Sequence, residues 1–142
     1  MGRIYYNNGL HYHLFYRDLP LIDLINLIHT KNIIELNERD PFETPLQVLV
    51  TNHITIKNDQ LQILDDTIEL IIELLLKGAD PLIKNGSENH ATTIIDDIEY
   101  YIQICRNNIN EDNSDITNFN YSVQLQKLLS IINVWENIKL TI

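Results

Sequence analysis

The chain contains 142 residues, with 10 Lys and Arg against 20 Asp and Glu, which gives a formal net charge of −10. A hydrophobic content of 44% excludes a disordered chain, and the length fits a single domain over residues 1–142. The acidic excess argues against direct binding to nucleic acid, since that affinity depends on Lys and Arg neutralising phosphates.

The cysteine content and the distribution of apolar residues indicate where in the cell the protein acts. Cys105 is the single cysteine, so an internal disulfide or a zinc-cysteine cluster is excluded, and we expect a cytoplasmic or otherwise intracellular location. No stretch approaches the roughly 18 consecutive apolar residues of a membrane span, and residues 1–8 lack the apolar core of a signal peptide. We therefore expect no contact with a membrane.

Helical periodicity dominates the first half of the chain. An apolar stripe predicts a helix over 20–29, with Asp18 as its N-cap. A second helix is predicted over 44–51, because Thr44 is a favourable N-cap and Pro45 suits the first helical turn.

The strongest helical pattern lies in the middle of the chain. An apolar stripe predicts a helix over 66–77, and Gly78 then supplies the left-handed residue that ends it. No segment predicts a sheet. The remaining predictions are helices over about 91–105 and 121–138, and long loops over 52–65 and 106–120.

The residues around Gly78 resemble part of a known repeat. Leu74-Leu75-Leu76-Lys77-Gly78-Ala79-Asp80-Pro81 is similar to the end of an ankyrin repeat, and Asp40-Pro41-Phe42-Glu43-Thr44-Pro45-Leu46 resembles the start of one. A weaker copy is expected to end at Asn32, in the left-handed conformation that Asn tolerates best after Gly. Asn32 and Gly78 are 46 residues apart, which is the family's period of about 33 plus an insertion of about 13 residues.

The resemblance implies an all-α, ankyrin-like helix-turn-helix solenoid with two long inter-helix loops. Its approximate repeats are 10–38, 39–85 and 86–139. Gln47 departs from the family pattern, which has His at that place, and the third copy lacks both motifs. The clear motifs cover about 40–85.

The reactive side chains form no recognisable catalytic or metal-binding pattern. His11 and His13 lack a cluster of further His or Cys ligands, and the four glycines are too dispersed for a phosphate loop. The acidic pairs at 65–66 and 96–97 are interpreted as solvated helix faces, and Cys105 as a buried structural thiol. We expect a protein that is not an enzyme and that uses no metal or cofactor.

The remaining candidate for function is the surface. In an ankyrin-like stack, the resemblance implies that the finger loops and the first helix of each pair form a concave groove. Phe42 has two interpretations, as an interface anchor or as a staple that packs on its own finger. The partner-binding residues that the resemblance nominates are Glu38, Arg39, Phe42 and Glu43 in one finger, and Lys84, Asn85, Ser87, Glu88 and His90 in the next.

The function that the resemblance implies is a non-catalytic protein–protein interaction module. The acidic balance favours a partner protein with a basic patch, through steering of the encounter. The 24 Ile and 17 Asn resemble the composition of ankyrin-like proteins from large DNA viruses and intracellular bacteria, which implies a modulator of a host protein. The alternative is an acidic mimic that blocks a nucleic-acid-binding protein, with carboxylates in place of phosphates at Asp65, Asp66, Asp96 and Asp97.

Overall fold

The computed structural model describes residues 9–40, 43–58, 60–84, 93–109 and 116–141. These residues are mostly helical, as predicted, with one small antiparallel sheet of two strands. In chain order the elements are α1 (Leu10–Tyr16), α2 (Leu21–His29), α3 (Ile33–Asn37), α4 (Pro45–His53), β1 (Ile54–Lys57), β2 (Gln60–Ile63), α5 (Thr67–Leu76), α6 (Ile94–Ile109) and α7 (Ile116–Thr141).

The predicted cap of α4 is confirmed, whereas the predicted cap of α2 is wrong. Thr44 Oγ1 accepts a hydrogen bond from the Gln47 amide at 3.4 Å, and the Thr44 amide donates to Gln47 Oε1 at 2.9 Å. Helix α2 has Pro20 as its N-cap, with no side-chain bond to the helix. The Asp18 carboxylate lies 2.8 Å from His13 Nδ1 instead, so it is engaged at the end of α1.

Asn32 does not take the left-handed conformation expected of it. Its φ is −85°, and it is the N-cap of the additional short helix α3. Asn32 Oδ1 accepts from the Glu35 amide at 2.8 Å, and Glu35 Oε1 accepts from the Asn32 amide at 3.2 Å. This reciprocal capping box favours a helix start over a helix end. Gly78 does adopt a positive φ, of 109°, as its motif predicts.

The predicted loop over 52–65 contains a β-hairpin, so the prediction of no sheet is wrong. Ile54 pairs with Ile63 and Lys57 pairs with Gln60, and Asn58 supplies a left-handed φ of 55° at the turn. Because successive residues of a strand point to opposite faces, the apolar residues share one face. Its members are Ile54, Ile56, Leu61 and Ile63.

The second predicted loop, over 106–120, is mostly helical. Helix α6 continues to Ile109 and α7 begins at Ile116, which leaves 110–115 outside the described residues. Tertiary contact between α6 and α7 accounts for the difference, because packing commonly overrides the weak helix propensity of Asn and Asp.

The main helices pack as three consecutive pairs. Helix α1 contacts α2, α4 contacts α5, and α6 contacts α7. Between pairs, α1 contacts α4 and α4 contacts α6, whereas α2 contacts α5 and α5 contacts α7. One hydrophobic core runs through all three pairs. Its fully buried members include Leu14, Leu24, Ile28, Leu49, Ile71, Leu74, Ile98 and Leu128.

Candidate functional site

Two polar segments join successive helix pairs and carry all the predicted partner-binding residues. The first connecting segment, 30–44, runs from α2 to α4 and contains α3. The second connecting segment, 77–93, runs from α5 to α6, and its residues 77–84 and 93 are described. Because each segment leaves the second helix of one pair for the first helix of the next, the two segments are counterparts in the fold.

Side chains of the first connecting segment hold the backbone of the second. Asn37 Nδ2 donates to the Gly78 carbonyl at 3.1 Å, and the Asp80 amide donates to Asn37 Oδ1 at 2.6 Å. The Arg39 guanidinium donates to the carbonyl of Lys84. These bonds satisfy backbone groups that have no helix or sheet partner, and so they fix residues 78–84 of the second connecting segment beside the first.

Gln47 connects the cap of α4 to the same neighbouring backbone. Its Oε1 accepts from the Thr44 amide, while its Nε2 donates to the Ile83 carbonyl at 2.8 Å. Gln47 and Thr44 are each only 2% exposed. The residue that departs from the family pattern therefore has a structural role, because it satisfies two backbone groups at once.

The start of the second connecting segment is tightly packed. A Cβ at Gly78 would lie 3.2 Å from Ile33 Cγ1, and the positive φ of Gly78 disfavours other residues independently of that contact. Ala79, the next residue, is 1% exposed. The positive φ of Gly78 agrees with the sequence prediction that this glycine ends α5, and the burial of Ala79 shows that the chain beyond it is closely packed.

The described members of the predicted site lie on or beside these segments. Glu38 and Arg39 are exposed, as is Lys84, and the structure brings Arg39 and Lys84 into contact. The Glu38 carbonyl lies 2.9 Å from His11 Nε2. Glu43 is half-buried, and its carboxylate accepts from Thr51 Oγ1 at 2.7 Å. The other predicted members, Phe42, Asn85, Ser87, Glu88 and His90, lie outside the described residues.

Carboxylates converge where the first connecting segment meets α6. Burial raises the pKa of Asp97 above its usual value, and the neighbouring Asp96 and Glu43 raise it further. Burial and then Asp97 also raise the pKa of Tyr101 to about 12. Asp96 accepts from the Thr93 amide at 3.1 Å, which places it at the start of α6. Like charges are thus held together where Glu43, just before α4, approaches the start of α6.

The exposed apolar residues of α3 were missed by the sequence analysis. Ile33 is 64% exposed and Ile34 is 79% exposed. The pattern of Asn32 followed three residues later by Glu35 is a helix-start signature that predicts α3. Interpreting Asn32 as a helix end concealed that signal.

A different half-buried titratable group lies where α4 ends. His53 Nε2 donates to the Leu14 carbonyl at 2.7 Å, and burial is the main cause that lowers the pKa of His53 below 6.5. The nearby Arg17 lowers that pKa further, while backbone contacts with Leu14 and Phe15 oppose the shift. The folded protein therefore favours the neutral ring.

We expect His53 to make the protein less stable in mild acid. The ring of His53 binds a proton more readily in the unfolded chain than in the folded protein. The stabilising contribution of the neutral ring is therefore present above the unfolded pKa and is lost as the pH falls below about 6.5. The free energy of unfolding in urea, measured at about pH 7.5 and pH 5.5, should fall less in His53→Gln than in the wild type. His11→Gln, at a partly exposed site on α1, is the control; an equal fall in the free energy of unfolding for His53→Gln and the wild type would contradict the assignment.

The described residues form neither a metal cluster nor a membrane span. Among them, no three His, Cys, Asp or Glu side chains lie together as a metal site would require, and no helix is long and apolar enough to cross a membrane. Cys105 is fully buried, and burial raises the pKa of its thiol. The thiolate is therefore disfavoured, in agreement with the interpretation of Cys105 as a structural residue.

Comparisons of the chain with protein-family models, with curated proteins and with solved structures gave no match. The resemblance to ankyrin repeats therefore rests on the sequence motifs around Thr44 and Gly78.

Proposed function

We propose that the chain is a non-catalytic protein-binding module of ankyrin-like, solenoid architecture. The observation that carries the proposal is the attachment of the second connecting segment to Asn37, Arg39 and Gln47. The described residues of the two segments lie side by side with their backbones held, and a preorganised surface of this kind lowers the ordering cost of binding a partner.

The packing order of the helices supports the same architecture. In a solenoid, each repeat packs against its neighbours and the repeats share one continuous core. The contacts of α4 with α1 and α6, and of α5 with α2 and α7, follow that order. The hairpin β1–β2 lies within the second pair, at the place where the period predicts an insertion.

The proposed partner surface comprises both connecting segments and the starts of α4 and α6 that follow them in the chain. It includes the acidic group of Glu43, Asp96 and Asp97, whose mutual repulsion would be relieved by a cationic partner. A basic patch on the partner protein therefore fits this surface best. Intracellular action on a host protein, as the composition implies, belongs to the same proposal.

An affinity purification from the native cell tests the proposal. With the full chain as bait, we expect a partner that is retained at about 0.5 M salt and lost with Phe42→Ala or Arg39→Ala, since contacts within an interface are less screened than long-range charge. Lys57→Ala, at an exposed site on β1, is the matched control for Arg39→Ala. A partner that binds both segment variants as well as it binds the wild type would contradict the proposal.

The same experiment distinguishes the proposed binding module from the alternative, an acidic mimic that blocks a nucleic-acid-binding protein. A mimic would lose its partner steeply with salt and on neutralising Asp65, Asp66, Asp96 and Asp97, and would be indifferent to Phe42→Ala. The structure places the two acidic pairs at the starts of different helices. Arg17 places a positive charge beside Asp65 and Asp66. This acidic pair therefore resembles a run of phosphates less closely.

A further inference from the structure

A surface of unusual composition lies at the base of the two connecting segments. Lys31, Ile33, Ile34 and Lys77, together with Asn32, line one open cleft of about 610 Å³. We call these five residues the α3 patch. It contains none of the residues that the sequence analysis nominated for binding.

The apolar part of the α3 patch consists of two adjacent isoleucines on a capped helix. Ile33 and Ile34 are consecutive and mostly exposed, at 64% and 79%. The capping box of Asn32 and Glu35 holds the backbone that carries them, and Ile33 packs beside Gly78. Adjacent exposed aliphatic side chains are typical of interaction surfaces, and a backbone that is already held lowers the ordering cost when a partner covers them.

The charge of the α3 patch is opposite to that of the whole chain. The chain carries a net charge of −10, yet the cleft is lined by two lysines and no carboxylate. Lys31 has a carboxylate neighbour outside the cleft, Glu35, at the long distance of 3.8 Å. Lys77 follows the last residue of α5, so it also suits the negative end of that helix dipole. The helix dipole accounts for the position of Lys77, but it does not account for the exposure of Ile33 and Ile34.

We propose that the α3 patch binds a short amphipathic segment of a partner protein, with apolar side chains on Ile33 and Ile34 and one or two carboxylates beside Lys31 and Lys77. The inference rests on the proposed binding function and names the partner's chemistry at one part of the surface. Because charges are screened within about 8 Å at physiological salt, the two lysines act on a docked carboxylate more strongly than distant acidic faces do. Glu35 partly neutralises Lys31, so Lys77 provides the larger share of this attraction. A second copy of the chain fits less well, since each copy carries the same large negative charge.

A titration followed by NMR tests the inference on the full chain labelled with ¹³C at the isoleucine methyls. The probe is a synthetic amphipathic helical peptide, blocked at both ends, with Leu at i, i+3 and i+4 and flanking Glu; a second peptide has Lys in place of Glu. We expect the acidic peptide to shift the methyl signals of Ile33 and Ile34 and to bind at least about tenfold more tightly than the basic one.

Substitutions inside and outside the α3 patch show whether the acidic peptide binds there. Ile34→Ser should weaken the acidic peptide about tenfold, because a covered aliphatic side chain is lost, and Lys77→Glu should weaken it at least about fivefold. Ile22→Ser, 62% exposed at the far end of α2, and Lys57→Glu on β1 are the matched controls and should bind within about twofold of wild type.

Three results would overturn the inference. They are no shift of Ile33 and Ile34 up to about 1 mM peptide, equal binding of the acidic and basic peptides, and a concentration-dependent dimer in sedimentation that Ile34→Ser abolishes. The third result would assign the α3 patch to a second copy. None of the three affects a partner that depends on Phe42 and Arg39, so the proposed function stands or fails by its own experiment.

Discussion

Replacing Leu74 with alanine should lower the free energy of unfolding by about 2–5 kcal/mol, the range for deleting a buried leucine side chain. Leu74 is 0% exposed and lies on α5, the helix that contacts α2, α4 and α7. The cavity would therefore open on the helix that connects the three pairs. A loss of this size is a large share of the total stability of a domain, which is about 5–15 kcal/mol.

Leu76→Ala provides a matched control on the same helix. Leu76 is 71% exposed, so its truncation removes little buried surface, and alanine has the higher helix propensity. Urea unfolding followed by circular dichroism at about 222 nm measures both variants. Equal losses for Leu74→Ala and Leu76→Ala would contradict the position of α5 at the centre of the core.

Replacing Gln47 with leucine should cost about 2–3 kcal/mol, although leucine is similar in size and more hydrophobic. The change removes the acceptor for the Thr44 amide and the donor to the Ile83 carbonyl. A buried backbone group that loses its partner costs about 1–3 kcal/mol. The effect of Gln47→Leu therefore measures the connection between α4 and the second connecting segment.

Gln62→Leu is the control for the polar-to-apolar change. Gln62 lies on β2 and is exposed, so its replacement should change the free energy of unfolding by less than about 0.5 kcal/mol. If Gln47→Leu is as stable as Gln62→Leu, the hydrogen bonds of Gln47 do not hold the two segments together.

The longer helices were predictable because their apolar residues recur with helical spacing. The stripe of α5 and the cap of α4 at Thr44 are local features, and each is found where it was predicted. Gly78 was equally predictable, since glycine is the usual residue where a helix ends with a positive φ.

The short elements were missed for different physical reasons. Helix α1 has seven residues and no side-chain cap, and a helix of that length depends on tertiary packing, here against α4. The hairpin does show period-two alternation, but over only four residues in each strand. Runs that short are ambiguous in a chain with so many isoleucines.

The candidate site was only partly predictable. Sequence motifs located the two connecting segments, and the structure brings Arg39 and Lys84 together within them. The exposure of Ile33 and Ile34 was not predictable from their hydrophobicity, which on its own favours burial. Their exposure depends on which side of α3 packs on the rest of the fold, and that side carries the buried Leu36.

The two proposals assign partners of opposite charge to different parts of one surface. The face near Asp97 suits a basic partner, whereas the α3 patch suits an acidic amphipathic segment. A partner that carries both features would contact the connecting segments at two points, which provides more specificity than net charge alone.

The side-by-side arrangement of the two connecting segments is the central claim, and a nuclear Overhauser measurement on the isotopically labelled protein tests it most directly. Cross-peaks should join the Asn37 side-chain amide protons to backbone protons of Gly78 and Asp80, and the Gln47 side-chain amide to Ile83. A spectrum that shows the contacts between α4 and α5, but none of these between the segments, would contradict the claim.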